Sequence, residues 1–117
     1  MKLTPTDFGG AMAVDSYGPG FFRVGRIVYH GPVLVTATSA GAWGGLDDRT
    51  ALMALAGQVD VLFLGMGADV AHAPADLIAA LHKAGISVEP MASPTAARSY
   101  NVTLSEGRRV ACALLPL

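Results

Sequence analysis

Residues 61–68 read VLFLGMGA, and Val61, Leu62, Phe63 and Leu64 are apolar without a break. A strand with one wet face alternates apolar and polar side chains, so an unbroken apolar strand has to be covered on both faces. Apart from Asp60 near its start, Val59 to Leu64 therefore predicts an inner strand of a largely parallel sheet. The run is far too short to cross a bilayer.

The segments that follow have the matching rhythm. APADLIAALHKAG, residues 73–85, predicts a helix opened by Pro74, striped by Leu77, Ile78 and Leu81, and closed by Gly85. Ile86 to Glu89 is the next expected strand. SPTAARSYNVTLSEG, residues 93–107, predicts a second helix with Ser93 as its cap, Pro94 at its first position and Gly107 as its stop. Arg109 to Leu115 is the last expected strand. This order means an α/β fold, with a right-handed crossover between the 59–64 and 86–89 strands.

The first half is richer in glycine and β-like. Ala11 to Val14 is read as a strand and SYGPG, residues 16–20, as a turn. FFRVGRIVYHGPVLVTA reads as strand, break at Gly25, strand, turn at Gly31–Pro32, strand. SAGAWGG, residues 39–45, is a loop. Leu46 to Ala56 predicts a short helix capped by Asp47 or Asp48 and ended by Gly57.

Composition narrows the function. The 117 residues suit a single domain, 1–117, and 52% hydrophobic content rules out a disordered chain. Net charge is −1 and no basic run exceeds Arg108–Arg109, which argues against a nucleic-acid partner. The one cysteine, Cys112, excludes an internal disulfide or a Cys-x-x-Cys site and suits a reducing cytoplasm. The N-terminal residues lack the apolar stretch of a secretory signal. The expectation is a cytoplasmic protein with no membrane insertion.

In parallel sheets, ligands bind beyond the carboxyl ends of the strands. Here that rim is residues 65–72 and 90–95. Gly65-Met66-Gly67 would allow close backbone approach, and the Ser93 helix start would offer N–H groups to a small anion or metabolite. A dinucleotide fingerprint fails: Val70 stands where the third glycine belongs, and Pro74 delays the helix. His72 lies between Asp69 and Asp76, but the spacing matches no zinc pattern. Ser39, His72 and Asp69 make a triad only on paper, with no Gly-x-Ser-x-Gly elbow. Cys112, in an apolar strand, reads as an inert core thiol. No cofactor, metal or catalytic residue is assigned, and a non-enzymatic role is favoured over an enzyme acting in the crevice.

Ala97, Tyr100, Asn101 and Leu104 fall on one helix face. Asn101 is then either a clamp on loop backbone, near Gly65, or a pocket wall with Tyr100. The clamp is preferred because most buried polar side chains bond to backbone. Trp43 is either a lid over the core edge or an exposed anchor for a partner.

YGPGFFRVGRIVYHGPVLV, Trp43, VLFLGMG, GISVEPM and SPTAARSYNVTLSEGRRVACALLP together resemble one family. It is a small single-domain family of largely unknown function. It includes the mitochondrial complex I (NADH dehydrogenase) assembly factor three, the adipogenesis-associated domain protein of animals, and stand-alone bacterial and archaeal proteins. The resemblance implies a three-layer α/β fold. Its central sheet is mixed and mostly parallel, an N-terminal β extension is added, and the final strand runs antiparallel to the others. It implies no established enzymatic activity, and a scaffold or chaperone role in building the respiratory NADH dehydrogenase. Many relatives have a Cys three positions before the Tyr, where this chain has Ala97, so thiol chemistry there does not carry over. Without a mitochondrial presequence the chain reads as a bacterial member. The expected interaction surface is Gly65, Met66, Gly67, Ser93 and Thr95 on the rim, with Tyr100, Asn101 and Trp43. Protein partners are expected, and a homo-oligomer is left open.

Overall fold

A computed structural model of the chain describes residues 10–69 and 72–117; Val70, the failed fingerprint position, lies outside them. Three N-terminal strands, β1 (Val14–Gly18), β2 (Phe21–Val24) and β3 (Ile27–His30), form an antiparallel sheet in that order. The chain then enters a five-stranded sheet through β4 (Val33–Thr36) and β5 (Ala40–Ala42). Helix α1 (Arg49–Met53), β6 (Val61–Met66), α2 (Ala75–Lys83), β7 (Ser87–Met91), α3 (Ser93–Ser105) and β8 (Val110–Leu115) complete it. The order across this sheet is β5-β4-β8-β6-β7.

The apolar run in β6 is explained by its two-sided burial. Leu62 and Leu64 point into a core with Leu77 and Leu81 of α2 and with Leu52, while Phe63 points into the other core with Ala96, Ala97, Tyr100 and Leu104 of α3. β8 divides the same way: Ala111 and Ala113 face the α2 side, and Val110, Cys112 and Leu114 face the α3 side. The three-stranded sheet shares the α3 layer, through Val14, Phe22 and Val24. The result is the expected three-layer α/β arrangement with a mixed central sheet and an N-terminal β extension. Ala97, Tyr100, Asn101 and Leu104 are all buried, as their spacing requires.

Several local expectations are corrected. β8 is not antiparallel to its neighbours throughout: it runs parallel to β6 and antiparallel only to β4. The antiparallel members are β4 and β5, which enter from the N-terminal half. The first strand starts at Val14 rather than Ala11 and runs through Ser16 and Tyr17, so the turn shrinks to Pro19–Gly20. Its start is set by Asn101, which bonds Val14 at both backbone groups. The helix predicted over 46–56 is regular only over Arg49–Met53. Asp48 precedes it, but its side chain makes no cap; its carboxylate accepts from the Gly44 N–H at 3.1 Å instead. Ser93 is likewise not the cap of α3 but its first residue, after Ala92. No helix among the described residues is long and apolar enough to cross a membrane.

The β2–β3 connection carries local strain. Gly25 and Arg26 have φ of 56° and 70°, as a tight primed hairpin turn demands at both central positions. A non-glycine residue in this region costs roughly 1–2 kcal/mol, and asparagine tolerates it better. Arg26→Asn is expected to raise the urea midpoint, with a gain of up to about 1 kcal/mol; a lowered midpoint would show that the Arg26 side chain itself stabilises the hairpin.

Candidate functional site

The carboxyl rim of the sheet is built by one close approach. β6 delivers Gly65 against the start of α3, where a Cβ on Gly65 would lie 2.6 Å from Ser93 Oγ, 2.8 Å from Ser93 Cα and 2.9 Å from Leu114 Cδ2. Gly65 is thus required by proximity. Gly67 is required by conformation, since its φ is 95°. The space the first glycine leaves is filled by the helix itself.

Ser93 joins three elements there. Its Oγ accepts from the Gly67 N–H at 2.9 Å and donates to the Leu115 carbonyl at 2.6 Å, while its own N–H donates to the Gly67 carbonyl at 2.8 Å. A free helix N-terminus would offer several donors to an anion. Here Ser93 N–H is taken by Gly67, Pro94 has none, and Ala96 N–H bonds to Ala92. Met66 is half-buried at the end of β6, and Thr95 is exposed on the first turn of α3.

Tyr100 and Asn101 lie farther along α3 and face the N-terminal strands. The Tyr100 hydroxyl donates to the Met12 carbonyl at 2.7 Å. Burial pushes its phenol well above the ordinary tyrosine range, with a smaller contribution from Cys112. Asn101 Oδ1 accepts from the Val14 N–H and its Nδ2 donates to the Val14 carbonyl, both at 2.9 Å. Asn101 therefore clamps backbone, but at β1 rather than near Gly65. The eight predicted residues do not form one cluster: Gly65, Met66, Gly67, Ser93 and Thr95 meet at the rim, while Tyr100 and Asn101 serve the β1 side.

Trp43 resolves as the lid. The residue is 4% exposed, in the α2-side core, and its Nε1 donates to the Asp48 carbonyl at 3.2 Å. The exposed-anchor alternative is corrected, because so enclosed an indole has little surface to offer a partner. Burial raises the Cys112 thiol far above its ordinary range, which suppresses the reactive thiolate. His72 is exposed, and Asp76 pairs with Arg49 at 2.6 Å instead of joining it. Among the described residues no group of three or more His, Cys, Asp or Glu is placed to hold a metal.

Two features escaped the sequence reading. Arg49 on α1 forks onto the Asp76 carboxylate of α2, and Arg109 forks onto Asp60 while donating to the Gly57 carbonyl. In both pairs the arginine hydrogen bond is the main cause of a lowered carboxyl pKa. A groove of about 280 Å³ also opens at the opposite end of the sheet, between Thr36–Thr38 and Gly107–Val110. Nothing in residue spacing signals either, since each joins segments distant in sequence.

These contacts yield two expectations. Asn101→Ala leaves both Val14 backbone groups unpaired and should cost roughly 2–4 kcal/mol in denaturant unfolding; Gly65→Ala should cost about 1–3 kcal/mol through overpacking against Ser93. A neutral effect of either would contradict the geometry. Cys112 should react with a thiol reagent only on global unfolding, so fast labelling of the native protein would refute its burial.

Comparison with known proteins agrees with this architecture. An uncharacterized protein of Rhodobacter capsulatus is 56% identical over 94% of this chain and 89% of its own length. The NADH dehydrogenase [ubiquinone] 1 alpha subcomplex assembly factor 3 of Danio rerio is 31% identical over 99% of this chain and 71% of its own length. A crystal structure of a Bordetella parapertussis protein superposes with a TM-score of 0.82 at 26% identity, covering 97% of this chain and 100% of that one. Residues 14–115 match the family described as protein of unknown function (DUF498/DUF598). The chain belongs to that family, which also takes in distant NADH dehydrogenase assembly factors.

Proposed function

We propose that this protein is a non-enzymatic interaction factor that assists assembly of the respiratory NADH dehydrogenase. The observation that carries the reading is how its polar side chains are used. Ser93, Tyr100 and Asn101 have the chemistry a site would need, yet each is hydrogen-bonded to the chain's own backbone. A catalytic side chain must reach a substrate atom. These three instead hold α3 against β1, β6 and β8, which favours a rigid body that presents its surface.

The name of the Danio rerio relative, matched over 99% of this chain, supplies the client. Fold alone does not transfer function, so the identity of the client rests on that likeness. A cytoplasmic place of action and a protein partner go with this reading.

Deleting the gene from its host tests it. Membrane NADH oxidation by the respiratory enzyme, and its fully assembled band on a native gel, are expected to fall and to return on re-expression. Normal levels of the assembled enzyme in the deletion strain would overturn the proposal.

A further inference from the structure

Among the described residues, the edges at β1 and β7 are guarded and the edge at β3 is not. At the start of the outer edge of β1 the Asn101 amide takes both the N–H and the C=O of Val14. β7 carries Glu89 and Pro90, and β5 is only Ala40–Ala42. Charge, proline and shortness are the usual means of preventing strand addition. β3, at the outside of its three-stranded sheet, is one residue longer than β5 and has neither a formal charge nor a proline: it reads Ile27, Val28, Tyr29, His30 and pairs with β2 without a bulge.

The ladder shows which groups are free. Because Gly25 and Arg26 alone join the strands, Val24 and Ile27 form the closing hydrogen-bonded pair, and Phe22 with Tyr29 form the next. The Gly31 N–H bonded to the Gly20 carbonyl at 3.0 Å continues that alternation. The N–H and C=O of Val28 and of His30 therefore point away from β2. They have no hydrogen-bond partner among the described residues. Ile27 and Val28, on opposite faces of the same strand, are 55% and 47% exposed.

We propose that this edge is a self-association site, where β3 pairs antiparallel with β3 of a second copy to make a six-stranded sheet. A twofold axis at Val28 sets Val28 against its own copy, so that each donates to and accepts from the other. The same register places Ile27 against the second copy's Tyr29 on the core-facing side. Apolar surface is then covered on both faces, which a like edge supplies and a polar peptide does not. Arg23 sits beside Val28 in the ladder. Across the new sheet the two Arg23 positions are three strand spacings apart, about 14 Å, where salt screens their repulsion. This association goes beyond the assembly-factor reading and does not depend on it.

Sedimentation of the full chain from about 5 to about 500 µM, the range where a small edge interface would show, tests the proposal. A dimer fraction that grows with concentration is expected. Val28→Pro removes only an outward N–H, so the thermal midpoint should hold while the dissociation constant rises at least about tenfold. Val28→Lys sets two like charges face to face and should weaken the dimer similarly; it decides the matter if Val28→Pro does not fold. Val28→Cys should oxidise to a covalent dimer, since paired Cα atoms about 5.5 Å apart suit a disulfide. Val102→Cys, exposed on α3, should not. A monomer at every concentration overturns the proposal. So does a dimer indifferent to folded Val28→Pro and Val28→Lys, or an edge that pairs with an added acidic extended peptide while the chain stays monomeric.

Discussion

The pair of hydrogen bonds between Asn101 and Val14 holds the two halves of the molecule together. One amide side chain supplies the donor and the acceptor that a neighbouring strand would have supplied, across 87 residues of sequence. It fixes where β1 begins and brings the N-terminal sheet alongside α3. An amide is suited to this, because it alone among uncharged side chains offers both groups in a planar, backbone-like arrangement. Tyr100 reinforces the contact one residue earlier through the Met12 carbonyl. Together they close the α3-side core over Phe63, Cys112 and Leu114.

Ser93 plays the corresponding part at the other end of α3. Its hydroxyl is shared between the ends of β6 and β8, and Gly65 lets the helix come close enough for that sharing. The features that first suggest a binding loop are thus the conditions for docking a helix on a sheet. Gly-x-Gly at a strand end and a helix start beyond it serve packing as readily as phosphate binding. In this chain the Ser93 and Ala96 N–H groups are spent on Gly67 and Ala92, and Pro94 has none to offer.

Periodicity made the core legible. The unbroken β6 run required two covered faces, Leu77 and Leu81 marked the inner face of α2, and Ala97, Tyr100, Asn101 and Leu104 marked that of α3. Contacts between distant segments were not legible. That Asn101 would meet Val14 rather than the Gly65 turn depends on how the N-terminal sheet folds over, which no local pattern states. The same holds for Ser93, read as a cap from its place before Pro94 but recruited by Gly67 and Leu115. The direction of β8 escaped for a related reason: it inserts between β4 and β6, so it is parallel to one and antiparallel to the other.

Native-state hydrogen exchange at the Val14 and Gly67 amides tests the central claim most directly. Both sit at the margins of strands, where exchange is ordinarily fast. If Asn101 and Ser93 are integral to the fold, both amides should exchange only with global unfolding, at the free energy of the β6 and β8 core. Fast, local exchange at either amide would contradict the account, because it would leave that α3 side chain free for another role.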